Sequence, residues 1–120
     1  MEILSYEAFK QGCLEIAKQA EKCDVANIYG IPRGGLIVAV YLSHITGMPI
    51  VSKPQPDTLI VDDIVDSGNT VRDYVGDGYY VAVLYYNTKC NIRPNIWIYE
   101  KKDFVKFPWE NDESARVDYK

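Results

Sequence analysis

Three aspartates lie close together in the middle of the chain and are followed at once by small polar residues. Residues 58–70 read TLIVDDIVDSGNT, so an apolar run delivers Asp62, Asp63 and Asp66 to a turn that contains glycine and hydroxyl side chains. Carboxylates hold sugar hydroxyls, bind a hard cation such as Mg²⁺, or accept a proton from a reacting group. The spacing therefore indicates a polar ligand site at the end of a core strand.

The turn after these acids has the composition of an anion-binding loop. Gly68 lets the backbone approach a ligand closely, Ser67 and Thr70 supply hydroxyls, and backbone N–H groups from Asn69 onward can cradle a phosphate monoester. The lysine of a Walker loop and the spacing of GxGxxG are both absent from this stretch. The same residues also suit an ordinary N-capped turn at the start of a helix, so the turn alone leaves both interpretations open.

The neighbouring acids favour a ligand that carries more than a phosphate. Asp62 and Asp63 are adjacent, so in a strand they point to opposite sides, and burial of either is expected to be costly. Carboxylates beside a phosphate site repel the anion unless they contact hydroxyls or a metal ion instead. A ribose phosphate has a phosphate at one end and vicinal hydroxyls in the middle, and it satisfies both requirements.

A second turn with unusual chemistry lies upstream, where residues 30–35 read GIPRGG. Arg33 is the only cation in an otherwise apolar segment, and it precedes a predicted helix. An arginine in a glycine turn at a helix start suits a second anion, such as a pyrophosphate. A tight turn with a solvated arginine is the alternative.

Composition limits the classes of function. The chain has 120 residues and a formal net charge of −4, which indicates one domain over residues 1–120. It has no basic block, so we expect no nucleic-acid partner. The longest apolar run, residues 36–42, is too short to span a bilayer, and the first residues lack a signal-peptide pattern. We therefore expect a cytoplasmic protein with no membrane partner.

The cysteines and the histidine do not form a metal-binding pattern. Cys13, Cys23 and Cys90 are widely spaced, and His44 is the single histidine. Without a CxxC pair, a zinc site is not expected, and the cysteines are predicted to be reduced structural thiols.

Helices alternate with short apolar strands along the chain. This order predicts an α/β fold with a parallel sheet covered on both faces, in which ligands bind beyond the carboxyl ends of the strands. A flexible tail is expected over residues 111–120. The predicted helices cover residues 6–22 (capped by Ser5), 36–45 and 70–75, and the predicted strands cover residues 25–29, 49–52, 58–61, 80–86 and 96–99.

The two turns together resemble those of a known family. VDDIVDSGNT resembles the phosphoribosyl pyrophosphate signature of the type I phosphoribosyltransferases, and GIPRGGL resembles the pyrophosphate loop of that family. DFVKFPWE, residues 103–110, is similar to the purine-binding segment of xanthine–guanine phosphoribosyltransferases. The resemblance covers residues 6–110. It implies the type I phosphoribosyltransferase fold, with a mostly parallel central sheet flanked by helices and a small C-terminal hood.

The resemblance also implies roles for individual residues. Asp62 and Asp63 would hold the ribose hydroxyls, with one of them also binding Mg²⁺. Asp66 would lie beside the base as a proton acceptor. The peptide bond between Pro32 and Arg33 would be cis. The remaining implied contacts are Ser67, Gly68, Asn69 and Thr70 to the 5′-phosphate, Arg33 and Gly34 to the pyrophosphate, the Phe104 ring stacked on the base, and the Val105 backbone at the edge of the base.

The chain departs from the family pattern at two places. Family enzymes carry a long flexible lid between the two turns, whereas MPIVSKPQPD here is short and contains three prolines. Lys53 in this segment is predicted to replace one pyrophosphate contact. The lysine that reads the purine 6-oxo group in the family falls here at Asn87. Lys89, two residues on, is either its substitute on the same strand face or a solvated loop lysine.

Three functions follow from the resemblance. The first is Mg²⁺-dependent transfer of a phosphoribosyl group from phosphoribosyl pyrophosphate to a 6-oxopurine (guanine, xanthine or hypoxanthine), as in purine salvage. The second is a non-catalytic sensor of phosphoribosyl pyrophosphate or a nucleotide, which the missing lid favours. The third is a related salvage or hydrolytic activity. By analogy with the family, we expect a dimer or tetramer to which the helix over residues 36–45 contributes.

Overall fold

The computed structural model describes residues 1–110, so the tail predicted for residues 111–120 lies outside the described part. The helices are α1 (Tyr6–Ala20), α2 (Gly34–Thr46) and α3 (Arg72–Gly76), and the strands are β1 (Glu2–Ile3), β2 (Asn27–Gly30), β3 (Thr58–Val65), β4 (Tyr80–Tyr86), β5 (Ile96–Glu100) and β6 (Val105–Lys106).

The main sheet has four strands in the order β2-β3-β4-β5, and every neighbouring pair is parallel. The predicted α/β class with a parallel sheet is therefore confirmed. Since all four strands run in the same direction, their carboxyl ends meet at one edge of the sheet. The four loops that follow these strands lie side by side at that edge.

Each face of the sheet buries its own apolar layer. Leu59, Val61 and Leu84 belong to the layer under α1 and α2. Ile60 and Val81 belong to the opposite layer, which includes side chains beside α3. The alternation follows from the period of a strand, and burial on both faces explains why the strand sequences are wholly apolar.

The first two helices form where the sequence predicts them. Ser5 caps α1, since its Oγ accepts a hydrogen bond from the Ala8 N–H at 3.1 Å, and the helix ends at Ala20, two residues before the predicted end. In α2, a Cβ placed on Gly35 would lie 2.5 Å from the Val61 carbonyl oxygen. The absence of side chains at its start lets α2 pack directly onto β3. The helix ends at Gly47, which has φ of +77°.

Several predicted elements differ from the observed ones. β2 spans Asn27–Gly30 instead of residues 25–29. β3 continues to Val65 instead of ending at Val61, because Ile64 and Val65 extend the apolar run beyond the acids. α3 begins at Arg72 rather than residue 70, and it is a single short turn of helix. The strand predicted over residues 49–52 is reduced to one isolated bridge between Ile28 and Ile50.

A small second sheet joins the two ends of the described chain. β1 and β6 pair in parallel, with Glu2 opposite Val105 and Ile3 opposite Lys106. The predicted C-terminal hood therefore includes residues from the start of the chain. Two-residue strands carry no periodicity, so the sequence analysis missed this pairing.

Among residues 1–110, no helix has the length and apolar character needed to cross a membrane.

Candidate functional site

The loops after the four main strands bring the polar residues of the chain together. Hydrogen bonds continue between strands up to this edge: Ile31 N–H donates to Val61 O at 3.0 Å, and Asn87 N–H donates to Val65 O at 2.8 Å. Across the edge, the order of loops is the arginine turn after β2, the acidic turn after β3, and then the loops after β4 and β5.

The adjacent pair of acids lies inside β3 and not after it. Asp62 is 0% exposed and Asp63 is 3% exposed, although the sequence analysis expected burial to be too costly. The Asp63 N–H donates to Asp62 Oδ1 at 2.9 Å. The strand places these carboxylates within the packed edge of the sheet, where charge is stabilised only by nearby donors or cations.

Asp63 brings the two turns into contact. A Cβ added to Gly34 would lie 1.9 Å from Asp63 Oδ2, so this carboxylate lies against the backbone of the arginine turn. The peptide bond between Pro32 and Arg33 is cis, as the resemblance implied. Arg33 is exposed and immediately precedes α2. The first predicted anion turn and the paired acids therefore form one continuous surface.

The second turn packs against the loop that follows β4. Gly68 has φ of +85°, and an added Cβ would lie 2.7 Å from Ile92 Cγ1 and 2.8 Å from Cys90 Sγ. Only glycine satisfies both the backbone conformation and this close packing. The Cys90 thiol also donates to Ser67 O at 3.2 Å. Neighbouring loops thus hold the backbone of the turn in place.

The polar groups of this turn are arranged as a local network. Asn69 N–H donates to Ser67 Oγ at 3.3 Å, and Arg72 Nη2 donates to Asn69 Oδ1 at 3.2 Å. Because α3 begins only at Arg72, the predicted anion contact comes from the turn itself rather than from a long helix. Arg72 adds a cation beside the turn that the sequence analysis did not single out.

A cavity of about 400 Å³ opens beside the acidic turn. Its floor carries Asp66, whose Oδ2 lies 2.7 Å from Lys101 Nζ and whose Oδ1 accepts a hydrogen bond from Asn87 Nδ2 at 3.0 Å. The cavity combines a carboxylate with two donors and an aromatic ring. Its lining residues are Asp66, Asn87, Thr88, Lys89, Glu100, Lys101, Lys102, Asp103 and Phe104.

Two of the three residues predicted to contact a base line this cavity. Phe104 is 47% exposed and contributes its ring, and Lys89 lies on the loop after β4. Val105 belongs to β6 and is not among the lining residues. Lys53 lies on the connector between α2 and β3, which hydrogen bonds fasten to Ile28 of β2. Its predicted contact with pyrophosphate stays a prediction.

Comparison with known proteins relates this arrangement to a fold family. No protein-family model matches the sequence, and no curated protein sequence matches it either. Among solved structures, a purine phosphoribosyltransferase from Pyrococcus horikoshii Ot3 matches with a TM-score of 0.80 at 24% identity, over 92% of this chain and 93% of that chain. The Helicobacter pylori xanthine-guanine-hypoxanthine phosphoribosyltransferase matches with a TM-score of 0.81 at 23% identity, over 94% of this chain and 95% of that chain. The chain has the type I phosphoribosyltransferase fold.

A third structure with this phosphoribosyltransferase fold was solved with a nucleotide. It is a hypothetical protein from Neisseria gonorrhoeae with bound ppGpp, which matches with a TM-score of 0.68 at 16% identity, over 95% of this chain and 93% of that chain. At these identities, the similarity establishes the fold alone.

The sequence analysis missed one prominent residue of the cavity, Lys101. Its side chain is 13% exposed, and its ammonium group lies 5.5 Å from the centre of the Phe104 ring. A signal for it was present, because Lys101 directly follows β5 and the carboxyl ends of parallel strands meet at one edge. The resemblance directed attention to Lys89 instead.

The three cysteines differ in burial, since Cys13 is buried and Cys23 and Cys90 are half-buried. All three are free, and burial raises the pKa of the Cys13 thiol to about 12, which keeps it protonated and unreactive. Within residues 1–110, no group of three or more His, Cys, Asp and Glu side chains is arranged to hold a metal ion. A metal bound at this edge must therefore take further ligands from a substrate or water.

Proposed function

We propose that the protein transfers the phosphoribosyl group of phosphoribosyl pyrophosphate to a 6-oxopurine base and releases pyrophosphate. One observation supports this proposal: the Arg33 turn, the turn over residues 67–70 and the cavity beside Asp66 follow one another along one edge of the sheet. Phosphoribosyl pyrophosphate with a base beside its anomeric carbon has its pyrophosphate, ribose phosphate and base in the same order.

Different residues along this edge bind the pyrophosphate and the 5′-phosphate of the substrate. Arg33 and the Gly34 backbone bind the pyrophosphate, with Lys53 as a further cation. The turn from Ser67 through Gly68 and Asn69 to Thr70 holds the 5′-phosphate, and Arg72 offsets part of its charge. This set of groups neutralises the leaving anion and fixes the sugar, which are the main requirements when a bond to an anomeric carbon breaks.

Asp62 and Asp63 suit a magnesium site that a substrate completes. Mg²⁺ is commonly bound by one or two carboxylates together with substrate phosphates and water, so the pair needs no third protein ligand. Bound there, the ion would offset the charge of the leaving pyrophosphate. Asp62 and Asp63 also accept hydrogen bonds from the ribose hydroxyls.

The cavity receives the base. Phe104 stacks on the ring, and Lys89 and the Val105 backbone contact its edge. A ring nitrogen forms the new bond to the anomeric carbon as the bond from that carbon to pyrophosphate breaks. The proton that the base loses passes to the Asp66 carboxylate, which acts as the general base.

An assay with phosphoribosyl pyrophosphate, Mg²⁺ and guanine, xanthine or hypoxanthine tests this proposal. Nucleotide and pyrophosphate are expected to appear together. Asp66→Asn and Arg33→Ala are each expected to lower kcat/KM by about 100-fold or more. The control variants Asp77→Asn and Lys22→Ala change exposed residues in the segments that lead into β4 and β2, and they are expected to retain activity. Equal losses in controls and test variants would contradict the assignment.

A second candidate is a sensor that binds phosphoribosyl pyrophosphate or a nucleotide without turnover. The connector between α2 and β3 favours it, because Ile28 N–H donates to Pro49 O and Val51 N–H donates to Ile28 O, both within 2.9 Å. A segment fastened in this way does not close over the site as a lid. Binding that requires Asp62 and Asp63, with no nucleotide formed, would select the sensor.

A further inference from the structure

The cavity beside Asp66 contains a donor that the proposed function does not yet use. Lys101 reaches Asp66 from the end of β5, whereas Asn87 and Lys89 lie on the loop that follows β4. Its ammonium group is largely buried, in contrast to the exposed Lys89 side chain. A buried lysine held at the floor of a ligand cavity contributes directly to what that cavity accepts.

Asn87 is held in one orientation. Its Oδ1 accepts a hydrogen bond from the Lys89 N–H at 3.1 Å, and its Nδ2 donates to Asp66 Oδ1 at 3.0 Å. Lys89 therefore acts on the cavity through its backbone, while its side chain is solvated. The amide presents its donor side to Asp66, so donors lie on both sides of one carboxylate.

We propose that Lys101 is a specificity-determining residue, which with Asp66 and Asn87 selects a ring edge that presents a carbonyl oxygen beside a ring N–H and rejects an amino group at that position. This inference rests on the proposed function, because it names the residue that restricts the base. It assigns to Lys101 the selection of the oxo group, for which Lys89 was one of two interpretations of the sequence.

The chemistry of the two kinds of base accounts for the selection. In hypoxanthine, the ring N–H faces the Asp66 carboxylate while the neighbouring carbonyl oxygen accepts a hydrogen bond from the Lys101 ammonium. In adenine, the neighbouring group is an amine, so its N–H would face the ammonium donor. An ammonium group has three hydrogen-bond donors and no acceptor. The Lys101 ammonium group, which already contacts the Asp66 carboxylate, therefore cannot accept a hydrogen bond from the amino group of adenine.

The Phe104 ring places the base at the right level for this contact. Lys101 Nζ lies over the Phe104 ring at 5.5 Å from its centre. Because the ammonium group lies over the ring face, a base that stacks on that face must come into contact with Lys101. The loops after β3, β4 and β5 thus supply Asp66, Asn87 and Lys101 to one ring edge.

Binding without turnover tests the inference. Hypoxanthine and adenine are titrated calorimetrically into the protein with Mg²⁺ and ribose 5-phosphate, which occupies the phosphate turn but has no pyrophosphate to lose. The wild type is expected to bind hypoxanthine at least tenfold more tightly. Lys101→Met is expected to remove roughly 10- to 100-fold of that preference, the effect of losing one hydrogen bond from a charged donor.

The matched control is Lys22→Met, which changes an exposed lysine in the turn after α1 and is expected to change the preference by less than about threefold. Lys101→Gln provides a second variant of similar length whose amide both donates and accepts, and it is expected to bind the two bases about equally. Circular dichroism and thermal unfolding verify that each variant is folded.

The outcomes separate this inference from the proposed function. A preference that survives in both Lys101 variants, or is lost in Lys22→Met, overturns the inference, as does a wild type that binds neither base. If the preference depends on Lys101 but phosphoribosyl pyrophosphate yields no nucleotide, the specificity assignment stands and the catalytic proposal fails. If nucleotide is formed but the preference for hypoxanthine does not depend on Lys101, the catalytic proposal stands and the specificity assignment fails.

Discussion

The paired acids and the third acid of the VDDIVD stretch occupy very different surroundings. Asp62 and Asp63 lie within β3 and are 0% and 3% exposed. Asp66 is the first residue after the strand, and its side chain is 20% exposed and in contact with Lys101. Three positions along the chain therefore separate carboxylates enclosed by the sheet from one at the floor of a cavity.

The comparison shows that the end of a strand determines what a carboxylate can do. Inside β3, ladder hydrogen bonds and the start of α2 fix the backbone, so Asp62 and Asp63 are placed by packing. Beyond β3, the side chains of Asn87 and Lys101, which follow β4 and β5, hold Asp66 at the edge of a cavity. Rigid acids suit an ion and a sugar, whereas one at the edge of a cavity suits proton transfer.

Gly34→Ala should disturb the packed acids most strongly. The new methyl group would lie 1.9 Å from Asp63 Oδ2, so either the arginine turn or β3 must shift. We expect the free energy of unfolding to fall by about 1–3 kcal/mol, as in other overpacked sites. Chemical denaturation measures this change, and calorimetry with pyrophosphate and Mg²⁺ should show weakened binding.

Gly76→Ala is the matched control for that substitution. An added Cβ at Gly76 meets nothing within 4 Å, and the residue ends α3. Here alanine should be neutral or stabilising by about 0.4–1 kcal/mol, because it reduces the freedom of the unfolded chain. Equal destabilisation by both alanines would mean that the contact between Gly34 and Asp63 has no special importance.

Conservative amides should distinguish the two kinds of acid by ligand. Asp62→Asn and Asp63→Asn are expected to weaken the Mg²⁺-dependent binding of phosphoribosyl pyrophosphate by about tenfold or more, since a carboxylate ligand is lost. Asp66→Asn is expected to leave that binding within about threefold while base binding falls. Calorimetric titrations with and without Mg²⁺ measure both quantities.

A uniform effect of the three amides would contradict this separation. In particular, if Asp66→Asn abolished the response to Mg²⁺, the cavity acid would belong to the metal site and the contrast with the packed pair would be lost.

The smallest effect is expected at the rim of the cavity. The Met1 ammonium, with help from the Phe104 N–H, holds the pKa of Asp103 below its ordinary value of 3.8. A depressed pKa means that Asp103 contributes stability above about pH 3.8, and that this contribution is lost as the pH falls through its lower folded-state value. Asp103→Asn should therefore be slightly less stable than wild type at pH 5, and the difference should shrink as the pH falls below about 3.8.

Thermal unfolding of both proteins across that pH range measures the difference, and NMR titration of the Asp103 carboxyl locates its pKa directly. A difference that persists unchanged at the lowest pH would show that Asp103 stabilises the rim without its charge.

Much of the architecture follows from local patterns in the sequence. The Ser5 cap, the Gly47 stop and the apolar strands predict most of the elements, and parallel strands explain why polar turns collect at one edge. The burial of Asp62 and Asp63 did not follow, because a charged residue in a strand is expected to be exposed. Ile64 and Val65, which continue the strand beyond the acids, were the available signal.

Long-range pairings were the main omission in the sequence analysis. The contact of Lys101 with Asp66 depends on the order of β3, β4 and β5 in the sheet, and strand order is not encoded in any short segment. The pairing of β1 with β6 was missed for the same reason. The family resemblance predicted the turns, where its motifs are specific, but not Lys101, which lies outside those motifs.

The small sheet that joins β1 and β6 has a consequence for the order of assembly. Glu2 N–H donates to Phe104 O at 2.6 Å, and Leu4 N–H donates to Lys106 O at 2.9 Å. These partners come from opposite ends of the described chain, so during synthesis the wall that carries Phe104 can close only after nearly everything else has been made. Closure between such distant segments is also the first to be lost in partial opening, and amide exchange at Glu2 and Leu4 should report it. A base that stacks on Phe104 is then expected to stabilise the pairing of β1 with β6 against opening.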